Sequence, residues 1–135
     1  MRFTTSRRPS PRTRRLARTL ARFLGADYMT RGKSGLDDDG VWMVVVEGDG
    51  SPTGIARRSR GEEEVFRFTL SCEGGSKRLK MTRPVVVGAG NSARDLAEFF
   101  DLDHAAEAAA GRAIRVCDGF VDFVDGGDLI LRLNI

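Results

Sequence analysis

The chain has 135 residues, 41% of them hydrophobic and 30% charged, proportions of a soluble globular protein and not of a disordered or membrane-spanning one. That length suits a single domain, or one built from two similar halves, and buries enough surface to need no metal or disulfide staple. The net charge of +3 hides a division: residues 1–33 carry ten basic side chains and one acid (+9), and residues 34–135 carry twelve basic and eighteen acidic (−6).

Nineteen of the 22 cations are arginines, and the lysines are Lys33, Lys77 and Lys80. A GC-rich genome biases codons the same way. Arginine also forks bidentately onto phosphate and stacks on bases, so the bias suits an RNA partner.

Arg2–Thr5 reads as a short strand and Ser6–Ser10 as a turn. A helix follows, with Ser10 as N-cap, Pro11 at its first position and Gly25 just beyond its last turn. Leu16, Leu20, Phe23 and Leu24 recur at helical spacing on one face, while Arg14, Arg18 and Arg22, flanked by Arg15, form an i, i+4, i+8 stripe on another. No acid lies on this helix, and like charges at i, i+4 cost a few tenths of a kcal/mol per pair unless an anion meets them.

Tyr28–Thr30 predicts a second strand, ending in the basic turn Arg31-Gly32-Lys33. Ser34–Gly40 is short and acidic. Trp42–Glu47 predicts a buried strand that turns through Gly48-Asp49-Gly50 into a partner at Ile55–Arg58. Glu63–Cys72 alternates, with Phe66, Phe68 and Leu70 on one face, and predicts one half-buried strand. The last third repeats the pattern of the first: strand Val85–Val87, helix Ser92–Leu102, an Ala-rich stretch, then strands Ile114–Cys117, Phe120–Val124 and Leu129–Ile135. Helices alternating with strands and antiparallel hairpins predict an α/β fold with mixed sheets, in halves of roughly 1–60 and 61–135.

Cys72 and Cys117 lie 45 residues apart and His104 is the lone histidine, so no zinc site is expected and the cysteines are expected as buried free thiols in a reducing compartment. The longest apolar run, Val41–Val46, is far short of the ~20 residues of a membrane span. No signal-peptide core follows Met1, and a cytoplasmic protein with no membrane partner is expected. Met1–Arg22 has the Arg-rich, acid-poor character of a transit peptide, but its strand and well-formed helix favour a folded segment. Ser6 and Ser10 have no nearby histidine, and the runs Asp37–Asp39 and Glu62–Glu64 read as solvated, so no catalytic residue and no cofactor are expected.

The loop and helix start around Ser6, Arg7, Arg8, Ser10 and Arg12 join a strand to a helix N-terminus, where unpaired N–H groups favour an anion. With Arg14, Arg15, Arg18 and Arg22, and with Arg31 and Lys33 nearby, they form the candidate phosphate-contact surface. Arg57/Arg58/Arg60 and Lys77/Arg78/Lys80/Arg83 are lesser basic groups in or beside loops. Tyr28 and Trp42 are expected in the core, although a strand-end aromatic such as Tyr28 also suits base stacking. A competing motif is Val85-Val86-Val87-Gly88-Ala89-Gly90-Asn91-Ser92-Ala93, a strand and GxGxxA ahead of a helix, as in dinucleotide sites. Against a nucleotide-binding enzyme, Asp118 falls 25 residues past Ala93, only 42 residues follow Ala93, and Asp95, Glu98, Asp101 and Asp103 repel pyrophosphate. Gly88 and Gly90 therefore read as turn glycines, with Asn91 or Ser92 as the cap.

The run Thr4-Thr5-Ser6-Arg7-Arg8-Pro9-Ser10, its Arg-rich helix and Tyr28–Gly32 resemble the opening of Brix-domain ribosome-biogenesis proteins, most of all their short archaeal branch. Val44-Val45-Val46-Glu47 followed by Gly50-x-Pro52-x-Gly54 is similar to that family's central hairpin. The resemblance implies two α/β halves, each like the anticodon-binding domain of class II tRNA synthetases. It also implies non-catalytic binding of ribosomal RNA or its precursor, alongside other assembly proteins. One departure is that Ser34–Gly40 leaves little room for the helix the family usually places there, which bears on the covering of one sheet face.

Overall fold

A computed structural model describes residues 1–31, 35–36, 40–73, 78–107 and 111–135. The chain divides into two compact units, Met1–Thr69 with Leu79–Met81, and Leu70–Arg78 with Thr82–Ile135.

The first unit opens with β1 (Arg2–Thr5), α1 (Pro11–Leu24) and β2 (Asp27–Tyr28), followed by β3 (Trp42–Gly48), β4 (Ser51–Ser59) and β5 (Glu62–Arg67). Its sheet runs β2-β1-β3-β4-β5, with β1 parallel to both neighbours and the β3-β4-β5 meander antiparallel. Asp49-Gly50 and Arg60-Gly61 close the two hairpins with positive φ at both central residues, the backbone twist that two-residue hairpins favour. Period-2 alternation sends Phe3, Met43, Val45 and Ile55 to one face, where they are fully buried with Leu16, Leu20, Phe23 and Leu24 of α1. Each such side chain contributes on the order of 1.5–3 kcal/mol by leaving water. On the other face Trp42, Val44 and Ala56 form a smaller cluster, against which Leu36 and Val46 pack. Leu36 thus supplies part of the cover for which Ser34–Gly40 has so few residues.

The second unit contains β6 (Thr69–Glu73), β7 (Val85–Val87), α2 (Asn91–Phe100), β8 (His104–Ala105), β9 (Arg112–Cys117), β10 (Phe120–Asp125) and β11 (Asp128–Asn134). Its sheet order is β6-β11-β10-β9-β7-β8. Without β6 this is the order of the first sheet, and the directions match as well: β7 is parallel to β8 and β9, and β9-β10-β11 is antiparallel. Val86, Ile114 and Phe123 are fully buried along with Phe100 of α2. Val87, Ala113 and Val124 cluster on the opposite face.

The two helices end alike. Gly25 (φ 67°) and Asp101 (φ 54°) take the left-handed conformation, and the next N–H of each reaches back five residues, Ala26 to the Ala21 carbonyl and Leu102 to the Ala97 carbonyl, both at 2.8 Å. This is the Schellman arrangement.

Several expectations are corrected. The strand predicted at Tyr28–Thr30 is Asp27–Tyr28. The single strand predicted over Glu63–Cys72 is two, β5 and β6, in different sheets; the Phe68 N–H between them donates to the Thr53 carbonyl at 3.0 Å. The cap of α2 is Gly90, with no side-chain cap bond, so Asn91 already lies inside the helix. Both cysteines are free and exposed instead of buried, because they sit at strand ends, where the covering layer stops. His104 lies on β8, a strand that the Ala-rich stretch concealed.

Candidate nucleic-acid interface

The start of α1 is held by its own unit. The Ser10 hydroxyl accepts from the Thr13 N–H at 3.2 Å, a standard N-cap, and donates to the Gly50 carbonyl at 2.8 Å. Glu47, at the end of β3, places its carboxylate at this helix end. It accepts the Ser10 N–H at 3.1 and 3.2 Å and the Thr13 hydroxyl at 2.5 Å. Those hydrogen bonds, that of Thr13 foremost and those of Ser10 next, hold the Glu47 carboxyl below the usual carboxylate range. The anion at this helix N-terminus is the Glu47 carboxylate, and Ser10 caps the helix through its hydroxyl.

The arginines lie elsewhere. Thr13, Leu16, Ala17, Leu20, Ala21, Phe23 and Leu24 are the buried side of α1, so Arg12, Arg14, Arg15, Arg18 and Arg22 are all exposed along it. Arg12 donates to the Ser51 hydroxyl at 3.3 Å and Arg22 to the Leu79 carbonyl at 3.4 Å. The Arg18 guanidinium stands 5.3 Å from the centre of the Tyr28 ring. Arg7 and Arg8 are exposed and Ser6 is half-buried, its N–H bonded to the Val45 carbonyl at 3.0 Å. Arg8 carries φ 54°, a left-handed conformation that costs a non-glycine residue roughly 1 kcal/mol.

A second group of cations comprises Arg31, Arg58 of β4 and Arg7. Arg31 is half-buried and donates to the Thr5 carbonyl at 3.4 Å. Burial first, then the neighbouring Arg58 and Arg7 cations, lower its pKa. Arg58 also pairs with Glu63 at 2.8 Å. Lys33 and Lys77 lie outside the described residues. The helical stripe is exposed as its spacing predicts, whereas the contact of Glu47 with the helix start was missed and Arg58 was read only as part of a lesser basic group, because nothing local ties either to residues so far away in the chain. Tyr28 is half-buried and not a core residue.

The competing glycine motif has a packing role. At Gly88 (φ 153°) a Cβ would lie 3.0 Å from the Val116 carbonyl oxygen and 3.1 Å from the Ala93 Cβ. Its N–H donates to the Ala105 carbonyl at 3.1 Å, and its own carbonyl oxygen lies 2.7 Å from His104 Nε2. Among the described residues no three His, Cys, Asp or Glu side chains are grouped to hold a metal, and no helix is long and apolar enough to cross a membrane.

A repeated β-α-β unit with a three-stranded meander, one copy bearing an arginine-faced helix, defines a two-part α/β protein with a strongly basic first helix. This chain matches three relatives of one name over its full length. It is 32% identical to a probable Brix domain-containing ribosomal biogenesis protein of Methanococcoides burtonii, covering all of this chain and 94% of the relative. It is 30% identical to the protein of the same name from Methanosarcina barkeri, covering 96% of that protein. The crystal structure of Mil, an archaeal Imp4-like protein, superposes with a TM-score of 0.82 at 29% identity over all of this chain and 96% of that one. A probable ribosomal biogenesis protein from Aeropyrum pernix, at 24% identity and a TM-score of 0.66, shares the fold. No protein-family profile matches the chain. The chain belongs to the archaeal Brix-domain ribosome-biogenesis proteins.

Proposed function

We propose that this protein is a non-catalytic ribosome-assembly factor that binds ribosomal RNA or its precursor through the exposed arginines of α1, with Arg7, Arg8 and Arg31 extending the contact. One observation carries the reading: Arg12, Arg14, Arg15, Arg18 and Arg22 are exposed on a helix with no acidic residue. Like charges four residues apart on one helix repel each other, and phosphates relieve the repulsion. Contacts of this type position RNA without reading its sequence. Glu47 confines them to the helix flank by occupying the helix end with a carboxylate. The relatives' names place those proteins in ribosome biogenesis, which supports ribosomal RNA or its precursor as the ligand and other assembly proteins as partners.

The test is to crosslink the protein in cell extract and sequence the attached RNA, with a variant carrying Arg14→Gln, Arg18→Gln and Arg22→Gln in parallel. Enrichment of ribosomal precursor by the wild type and its loss in the variant is the expected result. Equal recovery of RNA by both would contradict the reading.

A further inference from the structure

Beside the arginine stripe α1 and β2 enclose a surface recess of about 400 Å³, whose walls include Arg18, Arg22, Asp27, Tyr28 and Met81. Three features of this place are unlike ordinary protein surface. Tyr28 is half-buried, at the last position of a two-residue strand, with the Arg18 guanidinium over its ring. Met81 is 51% exposed and Met29, next to Tyr28 in the chain, is 45% exposed, two of the few large apolar side chains so open among the described residues. Leu79 is buried and its carbonyl accepts from Arg22 at 3.4 Å, a tie between the Leu79–Met81 segment and the helix.

We infer that this recess holds one unstacked nucleobase of single-stranded RNA, stacked at Tyr28 and Met81 while Arg18 and Arg22 contact the flanking phosphates. The inference rests on the RNA-binding reading above and adds to it a site that takes a base. Aromatic and guanidinium planes are the surfaces on which proteins stack splayed bases. A recess for phosphate alone would not be walled by an aromatic ring, an open methionine and a carboxylate. Asp27 repels a phosphate from the interior and so leaves the base as the part of the nucleotide that enters. The repulsion also turns the backbone outward, toward the helix arginines. Stacking of this kind tolerates any base, because every base has a π-face.

The experiment measures affinity of the full chain, by fluorescence anisotropy, for a 12-nucleotide single-stranded oligoadenylate and for the same backbone with abasic sugars. Wild type should bind the base-bearing strand about tenfold more tightly than the abasic one. Tyr28→Leu should lose about that factor on the base-bearing strand and nothing on the abasic strand, while Tyr28→Phe, which keeps the ring, should match wild type on both. Equal wild-type affinity for the two strands overturns the inference whether or not Tyr28→Leu folds. So does an equal loss on both strands in Tyr28→Leu, which would reduce Tyr28 to a support for Arg18. In either case RNA binding itself stands. If wild type binds neither strand at low salt, the RNA reading fails and the recess inference with it.

Discussion

Glu47 closes the N-terminus of α1 from 34 residues away, accepting the Thr13 hydroxyl at 2.5 Å while it also takes the Ser10 N–H. The pair fixes the helix start against the β3–β4 hairpin and gives the arginine stripe a rigid base. It also explains a Val-Val-Val-Glu strand that keeps a carboxylate at its end in the most basic part of the molecule.

Replacing Glu47 with Ala leaves the Ser10 N–H and the Thr13 hydroxyl without their acceptor and should cost about 2 kcal/mol in urea unfolding. The effect should depend on pH. A carboxyl whose pKa is lower in the folded than in the unfolded chain adds stability above its unfolded value, and that stability is lost as pH falls through the folded value. Wild type should therefore lose stability faster than Glu47→Ala on acidification below about pH 4.3, and the gap between them should narrow.

Arg8 holds a left-handed conformation in the loop before α1. Arg8→Gly should raise stability by up to about 1 kcal/mol, since glycine adopts that backbone freely. The same change should weaken RNA binding by removing one phosphate contact. Thermal melts and anisotropy titrations on one variant read both effects.

The matched helix ends offer an internal comparison. Asp101 occupies in the second unit the left-handed position that Gly25 holds in the first. Asp101→Gly should stabilise the protein by a few tenths to about 1 kcal/mol and Gly25→Ala should destabilise it by about 1 kcal/mol, both read as shifts in urea midpoint.

At Gly88 the Val116 carbonyl and Ala93 leave no space for a Cβ. Gly88→Ala should lower stability by about 1–3 kcal/mol through overpacking. Millimolar NAD should leave the melting temperature of the wild type unchanged, because a ligand that bound the native state would raise it with the logarithm of its concentration.

What the sequence made legible follows from range. Helix α1 was complete in outline, because Ser10, Pro11, the Leu and Phe spacing and Gly25 are all local signals. The hairpin turn at Asp49-Gly50 was readable for the same reason. The break at Phe68 was hidden: the alternation of Phe66, Phe68 and Leu70 runs unbroken through the point where the chain changes sheets, and burial alone keeps that period. β8 was hidden because two residues, His104 and Ala105, become a strand only by pairing with Val86 and Val87. In the candidate interface the arginines of α1 were visible as a pattern. The bond between Ser10 and Glu47 was hidden, since Glu47 arrives through the fold and not through the neighbouring sequence.

If the α1 arginines meet RNA phosphates, the affinity for RNA depends steeply on salt. For a single-stranded RNA, log Kd should rise with log salt at a slope of about 0.7 for each phosphate neutralised. Changing Arg14, Arg18 and Arg22 together to Gln should weaken binding at low salt and flatten the slope by about 2, with the melting temperature preserved. A variant with the slope and affinity of the wild type would contradict the account.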